Sequence, residues 1–306
     1  MSLYSMFTGK GPSGFGYAST AEEVTAGLSL EGKTILVTGC NSGLGLEAMR
    51  VLALRGAHVF GTARSLAKAN EACASVSGKT TGFACELSDP ASVRACVAAV
   101  KATGTKLDAI IANAGIMALP KLEQAHGYEL QFFTNHMGHF LLVTGLLDAL
   151  TDDGRVVMLS SSAHRQAPKG AVEFDNLSGE KGYSAWGAYG QSKISNVLFA
   201  KELARRFAGT RRTANAVHPG VIQTNLGRSM PAVMTAVFGT VGKLFLKSIP
   251  QGAATEVWAA TSPGLATVSG AYLQDCNVST ARADTDDAAL AARLWAESEK
   301  FAASLG

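Results

Sequence analysis

Short apolar segments that alternate with helical segments constrain the fold of this chain more than any other feature. Segments rich in β-branched and apolar residues, each of strand length, lie at 34–38, 58–62, 81–85, 107–112, 155–160, 214–218 and 271–273. Helical patterns lie between them, at 44–55, 91–103, 132–150 and 188–208. Strands that alternate with helices form a parallel sheet covered on both faces. The sequence therefore predicts an α/β fold with a doubly wound parallel sheet, a Rossmann fold, in one domain.

The first 30 residues differ from this core in composition. They begin with a stretch rich in glycine and serine, and a short helical segment follows at 20–26. We expect residues 1–30 to form an N-terminal arm, and residues 31–306 to form the domain itself.

Composition and charge argue against several classes of protein. Hydrophobic residues make up 47% of the chain and charged residues 17%, which is enough for a large buried core. The net charge of +3 is too small to indicate nucleic-acid binding. The five cysteines are scattered without a C-x-x-C pair, so we expect no disulfide framework, no metal site and a cytoplasmic location. Neither a secretory signal nor an apolar run of about 18 residues is evident, so no membrane-spanning helix is predicted.

A glycine-rich turn follows the first predicted strand. It reads Thr38-Gly39-Cys40-Asn41-Ser42-Gly43-Leu44-Gly45 and leads directly into a predicted helix. Glycines let a backbone turn tightly and approach a pyrophosphate, and a helix N-terminus attracts negative charge. This order of strand, turn and helix predicts a dinucleotide site, with candidate contacts at Gly39, Asn41, Ser42, Gly43, Leu44 and Gly45.

The ends of the next three strands indicate which dinucleotide binds. An NAD site needs a carboxylate after the second strand for the ribose hydroxyls, and 62–65 (TARS) contains none. Arg64 stands there instead, and a guanidinium suits a 2′-phosphate. NADP(H) is therefore predicted over NAD(H), and an ordinary surface arginine is the alternative. Further candidate contacts are Glu86 and Leu87 for the adenine, and Asn113, Ala114 and Gly115, which let the cofactor lie close.

Tyr189 and Lys193 are the candidate chemical pair. Residues four apart share one face of a helix, so their side chains project together. A phenol has a pKa of about 10, and a nearby ammonium lowers it toward the range useful for proton transfer. Such pairs also occur by chance on ordinary helices, so this pair alone does not establish a reaction.

Several motifs occur together and in one order: T-G-x-x-x-G-x-G (38–45), N-A-G (113–115), Asn135, Ser160-Ser161, Tyr189-x-x-x-Lys193 and Pro219-Gly220. From about residue 30 onward, this set resembles the short-chain dehydrogenase/reductase superfamily. The stretches TNHMGHFLL (134–142), SSSAHR (160–165), AYGQSKISNVLFAKELARR (188–206), NAVHPGVIQTNL (215–226) and AYLQDCN (271–277) resemble its retinol dehydrogenase and WW-domain oxidoreductase subgroup.

The resemblance implies a role for each matching residue. Tyr189 would exchange a proton with the substrate oxygen, Ser161 would hydrogen-bond that oxygen, and Lys193 would hold the nicotinamide ribose. Asn135 would order a water that relays protons to solvent. The nicotinamide end of the cofactor would be bordered by Pro219, Gly220, Ile222 and Thr224. Ser161 is one of three consecutive serines, and Asn135 could instead pack within its helix. We interpret His136, His139 and His164 as structural or substrate-loop residues.

These observations predict an NADP(H)-dependent oxidoreductase that interconverts an alcohol and a ketone or aldehyde on a bulky hydrophobic substrate. Residues 226–250, rich in Met and Phe, stand where this superfamily has a substrate lid; docking on a membrane surface or a partner subunit is the alternative. Two other functions stay open. One is an NADPH-dependent C=C reductase, and the other is a cofactor-sensing binding protein, because 19–25 (STAEEVT) resembles the arm of a related chloroplast import component. By resemblance, a homodimer or homotetramer would form through the helices that contain Asn135 and Tyr189.

Overall fold

A computed structural model of the chain describes residues 9–222 and 246–305. The strands in these ranges are β1 (Thr34–Thr38), β2 (His58–Ala63), β3 (Thr80–Ala84), β4 (Leu107–Ala112), β5 (Gln124–Ala125), β6 (Tyr128–Glu129), β7 (Leu150–Leu159), β8 (Thr213–His218), β9 (Tyr272–Gln274) and β10 (Asn277–Ser279). The helices of the same ranges are α1 (Ala21–Val24), α2 (Gly43–Leu54), α3 (Leu66–Ala74), α4 (Pro90–Ala102), α5 (Leu130–Phe132), α6 (Gly138–Leu146), α7 (Ala185–Arg206), α8 (Ile249–Thr261) and α9 (Ala288–Ser304). A π-helical turn (Phe133–Met137) joins α5 to α6.

Most of the strands form one eight-stranded sheet, in the order β10-β9-β8-β7-β4-β1-β2-β3. Its neighbouring strands are parallel except β9 and β10, which are antiparallel. The chain winds outward from β1 to β3, returns to β4 and then winds the other way. Ligands of such sheets bind in the crevice outside the carboxyl ends of the strands where the order reverses, here β1 and β4. The predicted doubly wound parallel sheet in a single domain is confirmed.

Two apolar cores lie on opposite faces of this sheet. Ile35 and Val37 of β1 pack in the core that includes residues of α2 and α8, and Leu36 packs in the core of α4, α6 and α7. Successive side chains of a strand point to opposite faces, so helices on both sides bury every residue of β1. This double burial explains why the strands read as continuous apolar runs rather than as an alternating pattern.

The helices α8 and α9 and the strand β10 lie outside the predicted elements. Residues 251–260 of α8 are all buried, so no polar face marks this helix in the sequence. The turn into β10 has positive φ angles at Asp275 and Cys276, of 53° and 58°. Glycine or asparagine usually marks such a two-residue turn, and their absence here hides it from sequence reasoning.

The described part of the N-terminal segment packs against α8 and the β9–β10 turn. The side chain of Asn277 accepts a hydrogen bond from the Ser13 N–H at 3.1 Å and donates to the Phe15 carbonyl at 3.1 Å. In the first turn of α8, Gln251 donates to the Ala18 carbonyl at 3.1 Å. The segment is therefore tied to elements that follow the predicted lid in the chain.

The predicted lid at 226–250 lies outside the described residues except for 246–250. Within that short stretch Lys247 is buried, with its ammonium 2.5 Å from the Asp275 carboxylate and 4.8 Å from the centroid of the Tyr17 ring. The Lys247 backbone N–H donates to the Val221 carbonyl at 2.9 Å, so these two residues lie side by side.

Candidate active site

The glycine-rich turn lies at the carboxyl end of β1, beside the reversal of strand order. Gly39 and Gly43 have positive φ angles of 69° and 57°, which other residues rarely adopt. A Cβ at Gly45 would clash with the Gly39 carbonyl oxygen and lie 2.5 Å from Asn113 Nδ2, whereas a Cβ at Gly43 would meet nothing within 4 Å. Gly45 therefore allows the turn to close on itself, and Gly43 faces open space.

The helix α2 begins at this open space and runs for 12 residues. Its N-cap is Ser42, which makes no side-chain capping hydrogen bond within the described residues. The N–H groups of the first turn therefore remain available to an anion, and the helix dipole adds positive potential there. Asn41 and Ser42 are exposed beside them, and Leu44 is buried. Open space together with free donors fits the pyrophosphate of a dinucleotide.

Small residues after β4 tie the two central strands together. Asn113 Nδ2 donates to the Thr38 carbonyl at 2.7 Å, and the Ala114 N–H donates to Thr38 Oγ1 at 2.9 Å. A Cβ at Gly115 would lie 2.9 Å from Asn135 Oδ1 and 3.4 Å from Lys193 Nζ. The structure thus brings the predicted N-A-G stretch, Asn135 and Lys193 to one place at the crevice.

Arg64 follows β2 directly and is exposed. Its guanidinium has no hydrogen bond or ion pair with any residue that the structure describes, so it is available to a ligand at this end of the crevice. After β3, the Glu86 carboxylate accepts from the Ser88 N–H at 3.1 Å and from its hydroxyl at 2.8 Å. Leu87 is buried beside it. Glu86 is therefore held by its own loop, at the position where an adenine is predicted.

Asn135 lies in the π-helical turn, where the sequence predicts one regular helix over 132–150. Its Oδ1 accepts from the Ile116 N–H at 2.8 Å, and its Nδ2 donates to the Ile116 carbonyl at 2.9 Å and to Ser192 Oγ at 2.9 Å. The regular-helix prediction is wrong at this point. The wider turn accompanies a side chain bonded to two other segments, and π turns often mark functional sites.

Tyr189 lies near the start of α7 and is 7% exposed. Burial raises the pKa of Tyr189 to about 12, and a hydrogen bond with the Ser161 hydroxyl opposes this rise. The Lys193 ammonium lies 5.7 Å from the centroid of the Tyr189 ring. The lowered pKa expected from the sequence does not appear, because the burial of the phenol outweighs the groups that favour its ionised form. Tyr189 is therefore protonated at neutral pH.

Lys193 is 3% exposed, and its Nζ donates to the Leu159 carbonyl at 3.0 Å. Burial lowers the pKa of Lys193 to about 8, and the charge of Glu256 on α8 opposes this. An ammonium has three donors, and the described residues accept one of these bonds. Two donors are left for a ligand in the crevice, which fits the hydroxyls of a ribose.

The structure separates the three consecutive serines. The Ser160 hydroxyl is buried and donates to the Lys193 carbonyl at 2.8 Å. Ser162 is exposed. The Ser161 hydroxyl is the one close enough to the Tyr189 phenol to lower its pKa, and it also accepts from the Ala163 N–H at 3.2 Å. The geometry therefore brings Ser161, rather than either neighbour, to the tyrosine.

The residues predicted for the nicotinamide end follow β8. Pro219 leads into Gly220, which has a φ angle of 94° and packs against Lys247; a Cβ there would lie 2.6 Å from Lys247 Cδ. Ile222 forms a β-bridge with Lys247. Thr224 lies outside the described residues.

Two histidines connect the predicted site residues to one another. His139 is buried, and burial lowers its pKa to about 4, so the ring is neutral. Its Nδ1 donates to the Asn135 carbonyl at 2.9 Å, and its Nε2 accepts from the Thr38 hydroxyl at 2.9 Å. His164 Nδ1 likewise donates to the Ser161 carbonyl at 2.6 Å. Sequence reasoning interpreted both as structural or substrate-loop residues, because nothing in their spacing indicates which backbone groups they meet.

Gly45→Ala is expected to weaken NADPH binding by about fivefold to a hundredfold, since forcing extra atoms into a packed site typically costs about 1–3 kcal/mol. The added methyl would meet the Gly39 carbonyl, which cannot shift without moving the turn. Titration of NADPH fluorescence measures the dissociation constant. Gly264→Ala is the control, because a Cβ there meets only Ser262 Oγ at 3.6 Å. A wild-type affinity in Gly45→Ala would contradict this account of the turn.

Neither a metal site nor a membrane span is found within residues 9–222 and 246–305. No three His, Cys, Asp or Glu side chains there form a group able to hold a metal ion. None of the described helices combines the length and apolar character needed to traverse a bilayer.

Comparison with known proteins gives consistent relatives. The family model described as short chain dehydrogenase matches residues 33–234. Short-chain dehydrogenase TIC 32 B, chloroplastic, of Brassica napus is 41% identical over 320 residues and covers 100% of both chains. Retinol dehydrogenase 11 of Homo sapiens is 39% identical and covers 89% of this chain and 86% of that protein. WW domain-containing oxidoreductase of Pongo abelii is 38% identical and covers 93% of this chain and 71% of that protein.

Solved structures share the fold. The crystal structure of a protein from Mycobacterium paratuberculosis is 33% identical, with a TM-score of 0.74 over 90% of this chain and 96% of that chain. A short chain dehydrogenase from Burkholderia cenocepacia, solved in complex with NADP, is 24% identical, with a TM-score of 0.65 over 80% of this chain and 96% of that chain. This second similarity shows the fold alone. The chain therefore belongs to the short-chain dehydrogenase/reductase superfamily of oxidoreductases, whose fold binds a nicotinamide cofactor, and within it to the subgroup of retinol dehydrogenases and WW-domain oxidoreductase.

Proposed function

We propose that this chain is an NADP(H)-dependent oxidoreductase that interconverts an alcohol and a ketone or aldehyde on a bulky hydrophobic substrate, with Tyr189 as the acid and base. The observation that carries the proposal is the contact between the Ser161 hydroxyl and the Tyr189 phenol, beside the buried Lys193. Two hydroxyl groups that meet at one point can both hydrogen-bond a single substrate oxygen.

The bound cofactor supplies or accepts the hydride. In reduction, negative charge builds on the carbonyl oxygen, so Ser161 hydrogen-bonds that oxygen and Tyr189 gives it a proton. The raised pKa of Tyr189 keeps the phenol in the protonated form that this step needs at neutral pH. The Lys193 ammonium stabilises the phenolate that remains.

Asn135 completes this set in the proposal. Its side chain clamps both backbone groups of Ile116 and also bonds Ser192, whose hydroxyl donates to the Tyr189 carbonyl at 2.8 Å. We propose that this clamp orders a water that relays protons between Lys193 and solvent. The same bonds would also serve packing alone, so the relay needs a kinetic test of its own, in proton inventories of wild type and Asn135→Ala.

The preference for NADP(H) is proposed from Arg64, whose guanidinium has no partner among the described residues and which lies just after β2, where no carboxylate stands. Arg64→Asp is expected to lower kcat/KM with NADPH by about tenfold to a hundredfold, because a hydrogen bond between charged groups contributes about 1.5–3 kcal/mol. The same change should raise kcat/KM with NADH, since a carboxylate accepts from ribose hydroxyls. Steady-state kinetics with both cofactors measures the ratio.

Lys68→Ala is the control for that change, because Lys68 is exposed on the neighbouring helix α3. It removes one positive charge without altering the end of β2. An NADPH/NADH ratio that is the same in wild type and Arg64→Asp would remove Arg64 from the phosphate site.

A bulky hydrophobic substrate is supported by the apolar surface around Tyr189. Trp186 is 37% exposed and lies edge-on to the Tyr189 ring, with ring centroids 6.1 Å apart. Val221 is 54% exposed where the chain leaves β8. Large exposed apolar side chains at the mouth of a crevice suit an apolar ligand. The names of the retinol dehydrogenase relatives agree with such a substrate.

A panel of aldehydes, ketones and enones, assayed with NADPH and NADH, tests the reaction class. Carbonyl reduction of apolar members is expected. Reduction of enones at the C=C bond alone would favour a C=C reductase. Tight NADPH binding without any turnover would favour a cofactor-sensing binding protein, to which the full-length similarity to a TIC 32 protein also points.

The assembly and location of the chain stay proposals. We propose a cytoplasmic protein with an N-terminal arm at 1–30, a lid at 226–250 and a homo-oligomeric state. Residues 131–140 and 189–200 of the helices that contain Asn135 and Tyr189 are buried within the single chain, so pairing through these helices would use their exposed ends, such as Trp186, Arg205 and Arg206. Light scattering of the purified chain measures its mass.

A further inference from the structure

Glu256, in the middle of α8, is a buried carboxyl group without a hydrogen-bond partner in the part of the chain that the structure describes. It is 0% exposed, and neither of its carboxylate oxygens bonds any atom among residues 9–222 and 246–305. An unpaired carboxylate in an apolar interior is strongly unfavourable, so such groups are rare unless something compensates for them. The proposed reaction does not use Glu256.

The position of Glu256 on α8 relates it to the crevice. Gly252 lies four residues earlier and therefore on the same helix face. A Cβ at Gly252 would lie 2.5 Å from Ile222 Cδ1 and 2.7 Å from Leu44 Cδ2, so this face of α8 meets both the glycine-rich turn and the nicotinamide end. Glu256 lies four residues further along α8, a rise of about 6 Å from Gly252.

Lys193 is the charged group that acts electrostatically on Glu256. Lys193 is itself buried, and among the described residues it forms no ion pair and a single hydrogen bond, to the Leu159 carbonyl at the end of β7. The negative charge of Glu256 raises the pKa of Lys193, and the positive charge of Lys193 lowers the pKa of Glu256. Charges interact strongly in a low-dielectric interior, so each buried group compensates for the burial of the other.

Other titratable groups near these two residues do not provide the same compensation. The groups near Lys193 are His139, whose ring is neutral, and Tyr189, which is protonated. The elements packed on α8 carry Glu22, Glu23, Glu47, Arg50, Asp108, Asp152, Asp153, Arg155 and His218, and Asp275 follows β9. Of these, Glu22 and Glu47 pair with Arg50, Asp108 pairs with Lys33, and Asp275 pairs with Lys247. Glu23, Asp152 and Asp153 are exposed, Arg155 bonds the Ala259 and Ser262 carbonyls, and burial lowers the pKa of His218 to about 4, so that its ring is neutral.

We propose that Glu256 is a positioning residue that supplies, at alkaline pH, the negative charge which keeps Lys193 an ammonium ion during the proton transfer at Tyr189. This inference rests on the proposed function. The ammonium stabilises the Tyr189 phenolate left by reduction, and a carboxylate near Lys193 preserves that ammonium at alkaline pH. Without Glu256, Lys193 would lose its proton at a lower pH, and reduction would fail there.

The first test is the pH profile of kcat/KM for reduction with NADPH in wild type, Glu256→Gln and Thr255→Val. Glu256→Gln is expected to move the alkaline limb to lower pH by about one unit, the smaller end of the effect of a nearby opposite charge. At acidic pH, where Lys193 is protonated in both proteins, kcat/KM should be the same. Thr255→Val disturbs the same buried helix without changing a charge, so its limb should stay in place. A limb that coincides in wild type and Glu256→Gln would overturn the proposal.

A second test needs neither activity nor a folded Glu256 variant. A carboxyl group whose pKa is raised in the folded protein makes that protein less stable as the pH rises from the unfolded pKa of the group to its folded pKa. For Glu256 these two pKa values are 4.5 and about 8. If Lys193 lowers the folded pKa of Glu256, Lys193→Met must extend the loss of protein stability to higher pH. Lys193 itself titrates, with a pKa lowered to about 8, so Lys193→Met is compared with Lys193→Arg, which keeps a positive charge that does not titrate in this range. We expect the melting temperature of Lys193→Arg to stop falling near pH 8 from this source, and that of Lys193→Met to fall further between pH 8 and 9.

Lys201→Met, which removes another lysine from α7, is the control for this comparison. Parallel melting curves of Lys193→Arg and Lys193→Met over pH 5–9 would overturn the coupling of Glu256 to Lys193. An absence of carbonyl turnover with a clear difference between these curves would instead reject the proposed function and leave the coupling intact.

Discussion

Tyr189→Phe is expected to lower kcat/KM for carbonyl reduction by about a thousandfold, within the range that a positioned general acid contributes. The phenylalanine ring keeps the apolar contacts with Trp186 but has no proton to give. NADPH affinity should change little, because the groups that fit the pyrophosphate lie at the glycine-rich turn. Steady-state kinetics and an NADPH fluorescence titration measure the two quantities on one preparation.

Tyr128→Phe is the matched control, because it makes the same chemical change on a half-buried tyrosine beside Phe132 and Phe133, away from Lys193. Its kcat/KM should equal that of wild type. Undiminished reduction by Tyr189→Phe would reject Tyr189 as the proton donor, and with it the assignment of α7 as the catalytic helix.

Ser161→Ala is expected to lower kcat/KM by about a hundredfold to a thousandfold, as the removal of one preorganised donor to a developing oxyanion does. The loss should appear mainly in kcat, since the bond to Ser161 strengthens as charge builds on the substrate oxygen. The kinetics are measured at pH 7, where the raised pKa of Tyr189 keeps it protonated.

The neighbouring serines provide two controls for Ser161→Ala. Ser162→Ala removes an exposed hydroxyl and should leave kcat/KM at the wild-type value. Ser160→Ala removes the hydrogen bond to the Lys193 carbonyl and should lower the free energy of unfolding by about 1 kcal/mol. A larger kinetic loss in Ser162→Ala than in Ser161→Ala would mean that the wrong serine has been placed at the substrate.

The central strands β1, β4 and β8 could be read from the sequence because they are buried on both faces, whereas β3 at the edge of the sheet is only partly buried. Burial of every side chain requires a continuous apolar run, and such runs stand out in a sequence. The predicted bounds at 34–38 and 107–112 coincide with β1 and β4. The bounds of β7 do not, because Leu150 already pairs with Leu107 across a register shift that no local pattern reveals.

The candidate residues could be named from the sequence, but their contacts could not. Glycine at 39, 43 and 45, and tyrosine and lysine four residues apart, are local patterns with local physical meaning. The choice among Ser160, Ser161 and Ser162 rested on resemblance alone, because adjacent side chains of an extended chain point in different directions and only packing decides which one meets α7. Their catalytic roles remain predictions.

The sequence by itself determined the fold class and named the candidate residues of the site, since both depend on local patterns of burial, glycine conformation and helical spacing. Only the tertiary structure decided the pKa values of the residues at the site. Tyr189 and Lys193 share a helix face, which local spacing already indicates, but the pKa of each depends on how deeply it is buried and on which charges approach from elsewhere. Glu256 comes from a helix on the opposite face of the sheet, 63 residues further along the chain from Lys193, and no local pattern records an interaction that exists only after folding.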